Sequence, residues 1–358
     1  MNIFKKYKQT LYVRNFAKLK RKQFYYQEIG NERKLNLVND KLEKMSSEMV
    51  LLEQNKELER ANRIEEIKLK LNEDLKDDVK ERFELELKVE EDRQRFMKDD
   101  NAHLMLTNLS MQFGGLKAVN RLSFTVKKGE IFGLIGPNGA GKTTVFNCIT
   151  QFYKPTEGGL YYRDRLHKNH ALIDYQTHDV IDLGIVRTFQ NVELVWELSV
   201  LDNLLVGAHS IYSSGFFTQL LHLPRLKKEE EIIKKKAIEV LTKLKILQYK
   251  DVSPWGLPYG ILKRIELART LMTNPSLIIL DEPAAGLNET ETKELAKLII
   301  EIRNEFDLTI FLVEHDMGLV MDICDQICAI SFGQLLAIGT PTEIQKNKAV
   351  QEAYLGGE

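Results

Sequence analysis

Hydrophobic positions in residues 31–100 recur at helical intervals. From Leu35 to Leu52 they alternate by three and four residues, which is the spacing of a coiled-coil seam over about three heptads. From Ile64 onwards the spacing drifts, so the apolar stripe rotates around the helix. The segment contains neither glycine nor proline. The pattern predicts a long, charged helical arm that packs on itself or on a globular body, or a coiled coil with a partner, with a disordered segment as the remaining alternative.

The pattern changes near residues 99–104. After His103, glycines, turn signals and short apolar runs begin. Ile131–Ile135 has the length of a strand, and Leu277–Leu280 is continuously apolar, as expected for a buried strand of a parallel sheet. We therefore divide the chain into an N-terminal extension, residues 1–102, and a globular domain, residues 103–358.

Charge is distributed unevenly along a chain whose net charge is -1. Residues 1–30 carry eight Lys or Arg against one Glu, together with seven aromatic residues. Such a composition suits an anionic membrane surface, and equally a nucleic acid or a plain charged helix. Because no nucleic-acid-binding motif accompanies it, nucleic acid is not expected as a partner, and an anionic membrane surface stays a candidate.

Composition also limits the class of protein. No run approaches the ~18 consecutive apolar residues of a membrane-spanning helix, and the first residues lack the apolar core of a secretory signal. Three scattered cysteines are too few for a disulfide framework. These features predict a protein of a reducing, cytosolic compartment.

Residues 136–144 match the phosphate-binding pattern G-x-x-x-x-G-K-[ST], between a strand-like run and a helical pattern from Val145 to Thr150. Glycines allow backbone N–H groups to converge on phosphate oxygens, and the start of the helix adds partial positive charge. Lys142 would reach the β- and γ-phosphates of ATP, and the Thr143 hydroxyl would bind Mg²⁺. The candidate nucleotide-binding residues are Gly136, Asn138, Gly139, Ala140, Gly141, Lys142, Thr143 and Thr144.

Two carboxylates follow the apolar run at Leu277–Leu280. A parallel strand delivers such groups at its carboxyl end, where ligands bind. Asp281 would hold Mg²⁺ directly or through water, and Glu282 would act as the general base on the attacking water.

Four further strings surround these motifs in a fixed order: Arg187–Asn191, Leu257–Ile261, Ala284–Asn288 and Glu314–Asp316. The order resembles that of the ATP-binding cassette (ABC) ATPases, with Walker A, Q-loop, signature, Walker B, D-loop and switch histidine. The resemblance covers residues ~103–358. Strings such as Phe113–Val119 and Asp281–Asn288 are similar, more narrowly, to the ATP-binding subunit of branched-chain amino-acid importers.

The resemblance implies roles for three further residues. Phe113 would stack on the adenine ring. Gln190 would contact Mg²⁺ and the attacking water, and its loop would touch a membrane subunit. His315 would hydrogen-bond the γ-phosphate and hold the geometry of water and base.

The signature motif departs from the Leu-Ser-Gly-Gly-Gln pattern of the family, because Pro258 stands where the serine is expected. Gly260 and the helix after it can still present backbone N–H groups, in trans, to the γ-phosphate bound by an opposite subunit. The departure bears on the rate of hydrolysis more than on ATP binding.

The resemblance implies an α/β fold of the P-loop NTPase class, with an antiparallel β portion near residues 104–127 and a helical subdomain at about 195–275. It also implies a homodimer, or a heterodimer with a related ABC ATPase, that drives permease subunits from the cytoplasmic face of the membrane. The alternative is a soluble or structural ABC ATPase that dimerises with ATP and uses its N-terminal arm to bind a partner.

Overall fold

The computed structural model of the chain describes residues 29–72, 76–188, 193–208 and 224–355, with scattered positions between 15 and 27. The chain divides into two units, residues 1–95 with 211–232 and residues 96–210 with 233–358. In the described ranges, no helix combines the length and the apolar character that crossing a membrane requires.

The N-terminal extension forms two helices, α1 (Glu32–Lys70) and α2 (Asp77–Lys98). The expectation of one long helix over residues 31–100 was therefore wrong. Helix α1 ends in a tightened turn in which the Asn72 N–H donates to the Leu69 carbonyl. No glycine or proline marks this break, so apolar spacing alone could not reveal it.

Ion pairs fold the extension back on itself. The Arg93 guanidinium is buried and binds Glu57 of α1 as well as Glu90 of its own helix. Arg63 of α1 pairs with Glu86 of α2 at 3.1 Å. Glu57 precedes Arg63 in α1, whereas their partners Arg93 and Glu86 occur in the reverse order in α2, so the two helices are antiparallel. The first unit therefore contains a helical hairpin, whereas the partner coiled coil stays a prediction.

The second unit contains a four-stranded antiparallel sheet in the order β2-β1-β4-β5. Its strands are β1 (Ala102–Phe113), β2 (Leu116–Lys127), β4 (Glu157–Arg163) and β5 (Asn169–Ala171). The predicted antiparallel portion near residues 104–127 corresponds to β1 and β2.

A six-stranded sheet has the order β10-β9-β3-β8-β7-β6, and only its β9–β10 pair is antiparallel. Its strands are β3 (Ile131–Ile135), β6 (Ile185–Arg187), β7 (Leu277–Asp281), β8 (Thr309–Val313), β9 (Gln326–Ser331) and β10 (Gln334–Gly339). Strands β3, β7 and β8 are buried throughout, and the burial of β7 was predicted from its continuous apolar run.

The two sheets share an aromatic core. The rings of Phe124 on β2, Phe132 on β3 and Phe311 on β8 stack with centroids 5.0 to 5.9 Å apart. All three rings are buried. This packing joins β2 of the antiparallel sheet to β3 and β8 of the six-stranded sheet.

Helices complete the second unit. They are α3 (Lys142–Ile149), α4 (Thr177–Asp182), α5 (Val200–Gly207), α6 (Pro224–Lys243), which begins in the first unit, α7 (Tyr259–Leu271), α8 (Glu289–Phe306), α9 (Met317–Ile323), α10 (Pro341–Lys346) and α11 (Lys348–Leu355). The described residues between 193 and 276 contain helices α5 to α7 and no strand.

The last turn of α2 belongs to the second unit. Phe96 is 2% exposed and packs on Tyr161 of β4. The buried Arg163 guanidinium donates to the carbonyls of Phe96, Met97 and Asp99. Because these carbonyls end a helix, the arginine satisfies acceptors that would otherwise lack a partner. The globular body thus begins at Phe96 in structural terms.

Candidate nucleotide-binding and hydrolysis site

The phosphate-binding loop joins β3 to α3. Gly139 and Gly141 have φ angles of 78° and 101°, which other residues rarely adopt. A Cβ on Gly141 would lie 2.4 Å from the Ala118 carbonyl oxygen, and one on Gly136 would lie 2.3 Å from that of Ile330. Glycine at these positions therefore allows the loop to pack closely against its neighbours.

Helix α3 starts at Lys142, three residues earlier than its apolar pattern predicted. Gly141 caps it without a side chain, and the first helical hydrogen bond runs from the Val145 N–H to the Gly141 carbonyl. The N–H groups of the first turn, which includes the exposed Thr143 and the half-buried Thr144, thus have no acceptor within the helix. This arrangement favours an anion.

A turn between β9 and β10 holds the loop in place. The Gly333 N–H donates to the Ala140 carbonyl, and the Asn120 N–H donates to the Gly333 carbonyl. Asn138 and Gly139, at the tip of the loop, are exposed. The base of the loop is fixed while its tip faces solvent.

Lys142 lies beneath the loop. Its Nζ donates to the Gly136 carbonyl at 2.6 Å and to the Pro137 carbonyl at 3.1 Å. Burial lowers the pKa of the Lys142 amine, while the Asp281, Glu282 and Glu314 carboxylates act to raise it. The amine is therefore a desolvated donor at the carboxyl end of β3.

Asp281 ends β7 and is 8% exposed. Burial raises the pKa of its carboxyl group, and the nearby Arg187 guanidinium opposes that rise. The Arg187 Nη2 donates to the Asp281 Oδ2 at 2.9 Å. No role was predicted for this arginine from the sequence, although its position directly after a short apolar run was the available signal.

Glu282 has an unusual backbone, with a φ of 46°. Its N–H donates to the Val313 carbonyl of β8 at 2.8 Å. The His315 Nδ1 lies 3.9 Å from the Glu282 Oε2. The structure therefore brings these two predicted residues together, although 33 positions separate them in the sequence.

Glu314 is a second residue for which no role was predicted from the sequence. Its fully buried carboxylate accepts hydrogen bonds from the N–H groups of Ala284, His315 and Asp316. The His315 Nδ1 lies 3.2 Å from the same carboxylate. Glu314 thereby links the loop after β7 to the loop after β8. An acidic residue that ends an apolar run was the only signal for it.

Phe113 ends β1 and is 41% exposed. Its ring meets Tyr153 edge to face, with centroids 5.1 Å apart. The Tyr153 N–H donates to the carbonyl of Asn147 on α3. An exposed aromatic surface thus lies next to the helix that follows the phosphate-binding loop.

Gly260 lies in the first turn of α7, which Pro258 caps without a side-chain hydrogen bond. A Cβ on Gly260 would meet open space. Gly260 lies 21 positions before Asp281, and in the described part of the chain no hydrogen bond joins it to the other site residues. Gln190 lies outside the described residues, so the structure does not place it.

The donor set fits Mg²⁺. Asp281 supplies carboxylate oxygens and Thr143 a hydroxyl oxygen, and such hard oxygen ligands are what this ion prefers. Both residues lie where β7 and the β3–α3 loop reach the same edge of the sheet. The arrangement can hold a polyphosphate on the loop and present a metal, a carboxylate and an imidazole to its far end.

Comparison with known proteins agrees with this geometry. Residues 119–285 match the ABC transporter family model, and residues 334–358 match a model described as branched-chain amino acid ATP-binding cassette transporter. The high-affinity branched-chain amino acid transport ATP-binding protein LivG of Salmonella typhimurium is 46% identical over 253 residues, which are 71% of this chain and 97% of LivG.

Two further similar proteins are also ATP-binding proteins of transporters. BraF of Pseudomonas aeruginosa, another branched-chain amino acid transport ATP-binding protein, is 43% identical over 71% of this chain and 97% of its own length. The ADP conformation of MJ1267, an ATP-binding cassette of an ABC transporter, aligns with a TM-score of 0.61 and 32% identity over 72% of this chain and 99% of its own. The chain therefore belongs to the ATP-binding proteins of ABC transporters, in the group that includes LivG and BraF.

Proposed function

We propose that this chain is the ATP-hydrolysing subunit of a branched-chain amino-acid importer and acts with separate permease subunits at the cytoplasmic face of the membrane. The observation that carries the proposal is the convergence of Lys142, Asp281, Glu282 and His315 at the carboxyl ends of β3, β7 and β8. The solute class rests on the names of LivG and BraF, since the solute itself would be recognised by other subunits.

The residues suggest a sequence of chemical roles. ATP would lie with its phosphates on the loop and its adenine against Phe113, while Lys142 neutralises β- and γ-phosphate charge. Asp281, Thr143 and Gln190 would hold Mg²⁺, which would polarise the phosphate oxygens. Glu282 would accept the proton of a water as that water attacks the γ-phosphorus and the bond to ADP breaks. His315, held by Glu314, would donate to the γ-phosphate.

A second cassette would complete the site. Gly260 and the uncapped start of α7 would face the γ-phosphate held by the other subunit, either a second copy or a related ABC ATPase. ATP binding would then close the dimer, and hydrolysis would reopen it.

An exposed apolar cluster is a surface for the permease. Trp255 is 68% exposed, and the centroid of its ring lies 5.0 Å from the ring centroid of Trp196. Val195 and Val252 add exposed apolar area nearby in the sequence. Exposed tryptophans are typical of protein interfaces. We assign this cluster to contact with a membrane subunit.

Replacing Trp255 with serine is expected to weaken co-purification with the permease subunits at least about tenfold, since a buried interface tryptophan commonly contributes about 2 kcal/mol. The test is affinity purification of the full chain from detergent-solubilised membranes, followed by ATP-driven leucine uptake in vesicles. Leu166→Ser, at another exposed apolar position, is the matched control. Recovery of no membrane protein with the unaltered chain would overturn the proposed function.

The N-terminal extension is an addition to the cassette. The alignments with LivG and BraF cover 97% of those proteins but only 71% of this chain. We propose that residues 1–102 serve membrane or partner attachment. The basic segment 1–30 lies largely outside the described residues, so its attraction to an anionic surface is argued from charge alone.

Deleting residues 1–95 is expected to preserve ATP binding and to abolish flotation with anionic vesicles at low salt. Deleting residues 1–100 removes Phe96 as well and leaves the buried Arg163 without its carbonyl partners. We expect this longer deletion to lose about 3 kcal/mol of unfolding free energy relative to the shorter one. Thermal unfolding measures the difference, and equal stability would contradict the structural boundary at Phe96.

A further inference from the structure

Arg187 is held rigidly beside Asp281. It is the last residue of β6, which pairs in parallel with β7, and the next N–H, that of Thr188, donates to the Ile279 carbonyl at 3.0 Å. From this position the guanidinium reaches the Asp281 carboxylate at 2.9 Å. The side chain of Asp281 is 11% exposed and that of Arg187 is 28% exposed, so water screens the pair only weakly.

The same guanidinium also contacts α3. Its carbon atom lies 4.1 Å from the centroid of the buried Phe146 ring, and its Nη1 lies 3.4 Å from the Asn147 Oδ1. Helix α3 begins with the phosphate-binding loop. Arg187 therefore lies between β7, which ends in Asp281, and the helix that would carry the triphosphate.

The charges at the carboxyl ends of β3, β7 and β8 indicate a role for Arg187. Asp281, Glu282 and Glu314 are three carboxylates near the Lys142 amine. The phosphates of ATP without its metal bring further negative charge to the same edge of the sheet. Lys142 would be engaged by phosphate, so the buried Asp281 carboxylate, if unpaired, would repel the nucleotide with little screening by water.

We propose that Arg187 is the resident counter-ion of Asp281, which neutralises this carboxylate when Mg²⁺ is absent and so permits ATP to bind without metal. This inference rests on the proposed function, since it takes the loop at 136–144 as the ATP site. Arg187 acts through its ion pair with Asp281, as a positioning residue. Mg²⁺, when bound, supplies the same neutralisation.

Arg187→Gln is expected to weaken ATP binding about tenfold in EDTA and less than about threefold in saturating Mg²⁺, because only the metal-free site loses its cation. The readout is the ratio of the two dissociation constants, measured by titrating a fluorescent ATP analogue into the full chain. If the substitution only disturbed the fold, ATP affinity would fall by the same factor in EDTA and in Mg²⁺.

Three variants make the comparison specific. Arg187→Met removes the charge but retains apolar contact with Phe146, so it should reproduce the glutamine result even if glutamine disturbs folding. Arg187→Lys retains the charge and should keep the ratio near that of the unaltered chain. Arg303→Gln removes another arginine–aspartate pair, with Asp325 at 3.1 Å, beyond the opposite ends of the parallel strands. It should leave the ratio unchanged.

The outcomes separate this inference from the proposed function. If Arg187→Gln and Arg187→Met lose affinity only in EDTA, the counter-ion role is supported. Equal loss in both conditions, or no loss in either, overturns it while leaving the ATP site intact. If the unaltered chain binds no nucleotide in either condition, the proposed function fails, and the counter-ion role fails with it.

Discussion

Lys142→Ala is expected to abolish ATP binding at micromolar nucleotide. The variant removes the only lysine amine at the carboxyl end of β3 in the described part of the chain, where it is buried and already desolvated. A charged hydrogen bond of this kind contributes about 3 kcal/mol, which corresponds to a loss of more than about 100-fold in affinity. Equilibrium titration with a fluorescent ATP analogue measures it.

The control for Lys142→Ala is the same substitution at a lysine outside the site that forms a close ion pair. Lys293 on α8 pairs with Glu289 at 2.7 Å and is exposed, so Lys293→Ala should bind ATP normally. Lys142→Ala also frees the carbonyls of Gly136 and Pro137, which solvent can reach only in part. Thermal unfolding will therefore show whether the variant is folded. Unchanged ATP affinity in a folded Lys142→Ala would place the nucleotide elsewhere.

The sequence predicted the elements that local pattern determines. The run Ile131–Ile135 became β3 residue for residue, and Gly139 and Gly141 of the loop after it have positive φ angles. Strand β7 followed equally from a continuous apolar run, which lies buried between β6 and β8. These segments could be predicted because their secondary structure and their motif depend on residues within about ten positions of one another.

The sequence did not predict what depends on distant partners. Arg187 and Asp281 are separated by 94 positions, and their pairing follows from the adjacency of β6 and β7. Glu314 binds Ala284 across 30 positions for the same kind of reason. The break between α1 and α2 likewise accompanies long-range pairs such as Arg93 with Glu57. None of these contacts has a local signature.

Glu282→Gln is expected to retain ATP binding and to lower turnover more than about 100-fold, since general bases contribute 10²–10⁴-fold. Glutamine has nearly the same size and keeps the Glu282 N–H that donates to Val313, so the loop should retain its shape. Its amide cannot accept the proton of the attacking water. Phosphate release measures turnover, with Glu289→Gln, an exposed residue of α8, as the control.

The same variant tests the shared site. With hydrolysis blocked, ATP and Mg²⁺ should hold two cassettes together, because Gly260 of each subunit would contact the nucleotide of the other. Removing the Glu282 charge also lowers the repulsion between the Asp281, Glu282 and Glu314 carboxylates and the γ-phosphate. ATP affinity should therefore stay equal or rise. Size-exclusion chromatography that shows only monomer at saturating ATP would contradict the shared site, and turnover within threefold of the unaltered chain would show that Glu282 is not the base.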